Sequence, residues 1–161
     1  MIEIERKFLV KNETYKSLSF KTQTLTQGYL SSDPKRAVRI RICDREAYIT
    51  IKGETSQSGL SRFEWEKKID FKDAQNLILL CHSSIITKVR HYVRYGNHTF
   101  EVDEFLGDNA GLVIAEIELT DEHESFERPE WLGKEVTGIK KYYNSQLSQN
   151  AFSNWQETNI K

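Results

Sequence analysis

Six times in this chain, two like charges stand two residues apart inside a strand-forming run: Glu3/Glu5, Arg39/Arg41, Glu64/Glu66, Lys88/Arg90, Glu101/Asp103 and Glu116/Glu118. Alternate residues of a strand share a face, so each pair projects from one side while apolar residues fill the other. One such strand describes an ordinary antiparallel sheet with a solvated face. Six are harder to place there, because a solvated face mixes Thr, Ser, Gln, Lys and Glu, whereas like charges side by side repel and need a compensating partner. A sheet closed into a barrel with these faces inward supplies one, since eight strands enclose room for side chains and one small ligand. Inward basic residues match an anion of several charges, and inward carboxylates match divalent cations bridging to it. Hard cations such as Mg2+ or Mn2+ favour carboxylate and phosphate oxygens, and arginine forks fit phosphate. The ligand class implied is a phosphate polyanion with one or two metals.

The elements follow from periodicity. Residues 2–10 form a strand with Glu3, Glu5 and Lys7 on one face and Ile2, Ile4, Phe8 and Val10 on the other; Arg6 points away from the charged face. Asn12 begins a short helix or turn to Leu18. Strands follow at 21–31, 36–43, 46–52 and 60–70, with a Gly/Ser/Thr loop at 53–59. Ala74, Leu77, Ile78 and Cys81 change to helical spacing, which predicts a helix over 70–81. Strands resume at 85–95, 98–105 and 112–120, separated by turns at Gly96-Asn97 and Gly107–Gly111. After Glu122 the strand pattern ends, and 138–152 reads as a C-terminal helix with Tyr142, Leu147 and Phe152 as packing residues. The expected class is α+β, mainly β: an eight-stranded antiparallel closed barrel, helices packed outside, a C-terminal lid helix, and residues 1–161 as one domain.

The 23 basic and 24 acidic residues nearly cancel, leaving a net charge of -1 and disfavouring a broad basic surface for nucleic acid. Cys43 and Cys81 have no paired spacing, no apolar run approaches membrane-spanning length, and early charges argue against a signal peptide. A cytoplasmic protein without a membrane or specific nucleic-acid partner is expected. There is no GxGxxG, P-loop, zinc spacing of the four histidines or nucleophile constellation. Trp65, Trp131 and Trp155 read as packing residues, and Tyr29 stands evenly between packing and a pocket role.

Glu3-Ile4-Glu5-Arg6-Lys7 matches E-x-E-x-K, and the ordered remainder is Gln27-Gly28-Tyr29-Leu30, Arg39-x-Arg41, Lys52-Gly53, Gly59-Leu60-x-Arg62-x-Glu64-x-Glu66, Lys88-x-Arg90, Glu101-x-Asp103 and Glu116-x-Glu118. From residue 2 to about 145 the chain resembles the CYTH family, also called the triphosphate tunnel metalloenzymes. The resemblance implies a tunnel binding triphosphate with Mg2+ or Mn2+. Glu3, Glu5 and Glu118 resemble the principal metal ligands, and Glu116, with Glu64, the group holding a second metal or orienting water. Lys7, Arg39, Arg41, Lys52, Lys88 and Arg90 correspond to the phosphate-binding set, with Arg62 a further member. Tyr29 resembles a tyrosine working beside the motif lysine, Lys7. Gly133-Lys134, Lys140 and Lys141 resemble a bacterial C-terminal lid; Glu66, Glu101, Asp103 and Arg94 are left unassigned.

The function implied is metal-dependent hydrolysis of inorganic triphosphate, as in the short bacterial members. A class IV adenylate cyclase is the alternative, less favoured because only Met1 and Ile2 precede the motif. Thiamine triphosphatase and a noncatalytic polyphosphate- or nucleotide-binding module follow it; a full set of metal carboxylates exceeds what binding an anion needs. Monomer and homodimer both remain compatible with the pattern.

Overall fold

The computed structural model describes residues 2–155; Met1 and 156–161, the ends of the expected domain, lie outside the described residues. The order is β1 (Ile2–Val10), α1 (Thr14–Leu18), β2 (Lys21–Ser31), β3 (Arg36–Cys43), β4 (Glu46–Thr55), β5 (Ser61–Ile69), α2 (Phe71–Ile78), β6 (His82–Tyr95), β7 (His98–Phe105), β8 (Val113–Glu118), β9 (Leu132–Glu135) and α3 (Asn144–Leu147). Every pairing is antiparallel, in the order β5-β4-β3-β2-β6-β7-β8-β1, and β1 pairs back to β5 to close the barrel. That closing seam is short, three residue pairs from Ile2 opposite Phe63 to Ile4 opposite Ser61. Beyond it, β9 takes over the same edge of β1 at Phe8 and Val10.

The ninth strand is absent from the periodicity because Leu132-Gly133-Lys134-Glu135 has no alternation of its own. Contact with β1 makes it a strand: a Cβ on Gly133 would stand 2.9 Å from the Leu9 carbonyl oxygen, so only glycine allows the approach. The expected helix over 138–152 is not formed. A 3-10 turn at Lys140–Tyr142, the four-residue α3 and another 3-10 turn at Phe152–Asn154 replace it. The reason is tertiary: Tyr142 and Leu147 are drawn into an apolar cluster with Leu9, Ile86, Phe105, Leu112, Ile114 and Val136, and a continuous helix does not satisfy both.

The expected helix over 70–81 is present in shortened form. Asp70 caps it by accepting from the Lys72 N–H at 2.7 Å, and Ala74, Leu77 and Ile78 cover Ile40, Ala47 and their neighbours outside the barrel. Helices cover only part of the outer wall, however. Phe8, Phe100, Val102, Ala115 and Ile117 are sealed by Tyr15 of α1, by Phe126 and Trp131 from the irregular stretch before β9, and by Leu132 at the start of β9. Among the described residues no helix is long and apolar enough to cross a membrane.

The interior is not charged throughout. Four of the inward charged runs end at the same end of the barrel in an apolar residue: Leu9 after Lys7, Ile86 before Lys88, Phe105 after Asp103 and Ile114 before Glu116. Register makes Leu9 and Ile114 direct partners, and likewise Lys88 and Phe105. These side chains form the plug that Tyr142 and Leu147 complete. The tunnel is therefore blind at one end, while Glu66 and Glu118 are exposed at the other.

Candidate active site

All of the candidate residues named from sequence, Glu3, Glu5, Lys7, Tyr29, Arg39, Arg41, Lys52, Arg62, Glu64, Lys88, Arg90, Glu116 and Glu118, line the same cavity of about 200 Å3. Strand register explains the convergence. Glu5 lies opposite Glu118 and Lys7 opposite Glu116 across β1 and β8; Glu101 in turn faces Glu116. Tyr29 faces Arg39 across β2 and β3, and Lys52 faces Glu64 across β4 and β5.

Next to the plug, Lys88 and Asp103 are each only 1 % exposed. Lys88 Nζ stands 2.8 Å from Asp103 Oδ2, and Arg90 makes a fork onto both oxygens of Asp103 at 2.8 and 2.9 Å. Burial pushes the Lys88 ammonium down to about 8, with Asp103 opposing and Arg90 reinforcing the shift. Burial alone would raise the Asp103 carboxyl, but Arg90 and Lys88 carry it below its ordinary range.

In the middle of the tunnel Lys7 Nζ donates to Glu116 Oε2 at 2.6 Å and stands 3.5 Å from Glu5. Burial works against charge on both partners; the net result holds Lys7 protonated and, with Arg90 and Lys88 adding to Lys7, sets the Glu116 carboxyl well below the carboxylate range. Opposite, Arg39 and burial lower the Arg41 guanidinium to about 10, and Arg90 adds to the repulsion. Arg39 donates to Thr50 Oγ1 at 3.1 Å, but its buried Nε has no partner among the described residues. Crowded cations with a spare donor form a wall that attracts a multiply charged anion.

Carboxylates collect toward the open end. Lys52 lies 3.0 Å from Glu3 and 3.5 Å from Glu64. Burial raises the Glu5 carboxyl, with Glu116 and Glu3 adding to it, and burial followed by Glu3, Glu101 and Glu5 raises Glu118. Among the described residues no three His, Cys, Asp or Glu side chains are gathered into a ready metal cage. Their chemistry nevertheless fits a hard divalent cation, because mutually repelling, part-buried carboxylates are the oxygen donors such ions take.

The unassigned residues now separate. Glu101 and Glu66 line the cavity, and Glu66 accepts from Thr50 Oγ1 at 2.6 Å with Arg39 and Arg41 at 3.5 and 3.7 Å. Asp103 stands behind Lys88 and Arg90, whereas Arg94 lies over the Phe20 ring at 5.3 Å and Arg62 donates to the Gly53 carbonyl. The ring recorded over Lys7 Nζ is that of Tyr143, 5.7 Å away; Tyr29 is buried in the same cavity wall. Of the lid residues, Lys134 is exposed and Lys141 stacks on Trp155 at 4.7 Å; Lys140 borders a neighbouring groove. Arg6 points outside, as expected, and pairs with Glu135.

Tyr143, Asn144 and Ser145, which also line the cavity, had no signal in the sequence, since the stretch reads as a C-terminal helix with Tyr142, Leu147 and Phe152 as its packing residues. The plug did have one: the apolar residue at the i±2 position of four charged runs.

A family model described as CYTH domain matches residues 1–150. An inorganic triphosphatase of Acetivibrio thermocellus is 44% identical over 96% of this chain and 98% of its own length. Another, of Nitrosomonas europaea, is 34% identical over 92% and 97%. The crystal structure of the inorganic triphosphatase NE1496 superposes with a TM-score of 0.64 at 30% identity, covering 91% of this chain and 93% of that one.

Proposed function

The chain belongs to the CYTH family, and from that membership we propose that it is a divalent-metal-dependent hydrolase of inorganic triphosphate acting inside the barrel, with residues 1–161 working as one domain. One observation carries the reading: the cationic wall and the carboxylates named from the sequence line one blind, charged cavity.

In this reading Arg39, Arg41, Lys52, Lys88 and Arg90 bind the phosphates, with Arg62 at the rim, and offset the charge that shifts between oxygens as a phosphoryl group is transferred. Glu3, Glu5 and Glu118 would hold the cation, Mg2+ or Mn2+, with Glu116 and Glu64 beside them. When bound, the cation supplies charge neutralisation at phosphate oxygens and lowers the pKa of coordinated water. Glu116 orients the attacking water through its free acceptor positions, Lys7 holds Glu116 in place, and Tyr29 closes the wall beside Arg39. The plug keeps bulk water from the deep end.

Incubation with tripolyphosphate and Mg2+ releases phosphate, chelation by EDTA stops it, and restored Mg2+ or Mn2+ recovers it. A rate no higher than that of Glu5→Gln would sink the reading. Parallel incubations with ATP and thiamine triphosphate, scored for cyclic AMP and for thiamine diphosphate, separate the cyclase and thiamine triphosphatase alternatives. Tight binding without turnover would favour the binding module.

The depressed Lys88 pKa adds a pH prediction. Lys88 loses its charge as pH passes about 8, so kcat/KM, which reports the free enzyme, falls above that pH. Lys88→Arg keeps its charge and removes this alkaline limb. Unchanged limbs in wild type and variant, measured from pH 6 to 10, would refute the assignment.

A further inference from the structure

The C-terminal stretch that completes the plug also turns Tyr143, Asn144 and Ser145 toward the tunnel. Tyr142 and Leu147 enter the apolar cluster, while Asn144 between them lines the cavity. Its Oδ1 accepts from Lys88 Nζ at 2.9 Å and from Gln27 Nε2 at 3.1 Å. An ammonium group can only donate, so Lys88 determines which end of the amide it meets: oxygen toward Lys88, nitrogen away. Among the described residues Nδ2 has no hydrogen-bond acceptor, and it is not one of the buried atoms left without a partner. Asn144 therefore presents an uncharged NH2 donor to the tunnel, held in orientation from behind.

Its position gives this donor a meaning. Lys88 lies over the Phe105 ring of the plug at 5.4 Å, so Asn144 and Lys88 together make the last polar surface before the apolar wall. A phosphate there meets Lys88, Arg90 and the amide; one step deeper it would be stripped of water with nothing to replace it. The site suits the end of a linear chain, whose terminal phosphate carries three non-bridging oxygens.

We propose that Asn144 is a substrate-binding residue for the terminal phosphate of a linear polyphosphate, and so contributes to selection of linear over cyclic chains. This rests on the reading of the tunnel as a triphosphate site. Asn144→Asp retains the oxygen that anchors Lys88 and Gln27 but removes the donor; Asn144→Ala removes both without adding charge. Each variant is compared with wild type for KM and kcat on tripolyphosphate, for inhibition by cyclic trimetaphosphate, and for thermal stability.

The expected result is a KM about tenfold higher in Asn144→Ala, the equivalent of one hydrogen bond to a charged group, and a larger rise in Asn144→Asp. The preference for the linear over the cyclic ion narrows by a similar factor, because trimetaphosphate has no terminal phosphate to lose. Equal weakening of linear and cyclic ions in both variants, or an unchanged KM in Asn144→Ala, would overturn the proposal. If wild type releases no phosphate, the hydrolysis reading fails by itself. Calorimetric affinities for tripolyphosphate and trimetaphosphate then give the same comparison for Asn144.

Discussion

Replacing Glu116 with glutamine lowers kcat for tripolyphosphate about 10^3-fold and leaves KM unchanged or lower. Glu116 is the junction of the tunnel: Lys7 donates to it at 2.6 Å, Arg90 Nη2 lies 3.7 Å away, and register sets Lys7 and Glu101 on either side. It stands between the cationic wall and the carboxylates toward the open end. Glutamine keeps the shape and removes one negative charge, so the tunnel becomes more cationic and holds a polyanion at least as well. What it loses is the charged carboxylate that, in the proposed mechanism, orients water and adds to the metal side. A lower kcat with an intact KM is the mark of an interaction made chiefly in the transition state. Steady-state phosphate release at saturating Mg2+ tests this; a kcat within tenfold of wild type, or a raised KM with kcat retained, would remove Glu116 from this role.

The second large effect is on stability. Asp103→Asn costs about 3–5 kcal/mol, because removing one partner from a buried ionic cluster leaves uncompensated charge. For a chain of this size each kcal/mol shifts Tm by about 2–4 °C, so a fall of about 6–20 °C is expected. Asp103 is the common acceptor of Lys88 and Arg90 and is nearly sealed from solvent. Its folded pKa is depressed, so its contribution is fully present above the unfolded aspartate value near 3.9 and is lost as pH falls through the folded value. The stability gap between wild type and Asp103→Asn should therefore be widest near neutrality and shrink in acid. Denaturant unfolding at a series of pH values measures it, and a neutral-pH difference below about 1 kcal/mol would place the pair's charge outside the stability of the barrel.

Glu116 and Asp103 differ in how far local alternation fixes their surroundings. The Glu116/Glu118 pair is visible because a strand puts i and i+2 on one face whatever surrounds it, and each charged run brings at least one side chain to the same cavity. Asp103 shows the same alternation, yet only its neighbours make it a support for Lys88 and Arg90 rather than a member of the cavity wall. The terminal stretch 138–152 reads as a helix, yet Tyr142, Leu147 and Phe152 stand five residues apart, about 140° round a helix at each step, so no single helical face buries all three. A nonlocal apolar plug competed with that local preference and prevailed, giving turns and a four-residue helix. Leu132–Glu135 became a strand for the complementary reason, an unpaired edge of β1 beyond the short seam with β5.

By itself the sequence determined which side chains share a face, their charge, and the need for a closed sheet around a polyanion. Those properties follow from the two-residue period of a strand, which holds over a few residues. Only the tertiary structure decided which end is blind, which carboxylate neutralises which cation, and that Asn144 faces the tunnel. Those contacts join Lys7 to Glu116 across 109 positions and Gln27 to Asn144 across 117. Separations of that size are set by strand register and barrel closure, which no local period encodes.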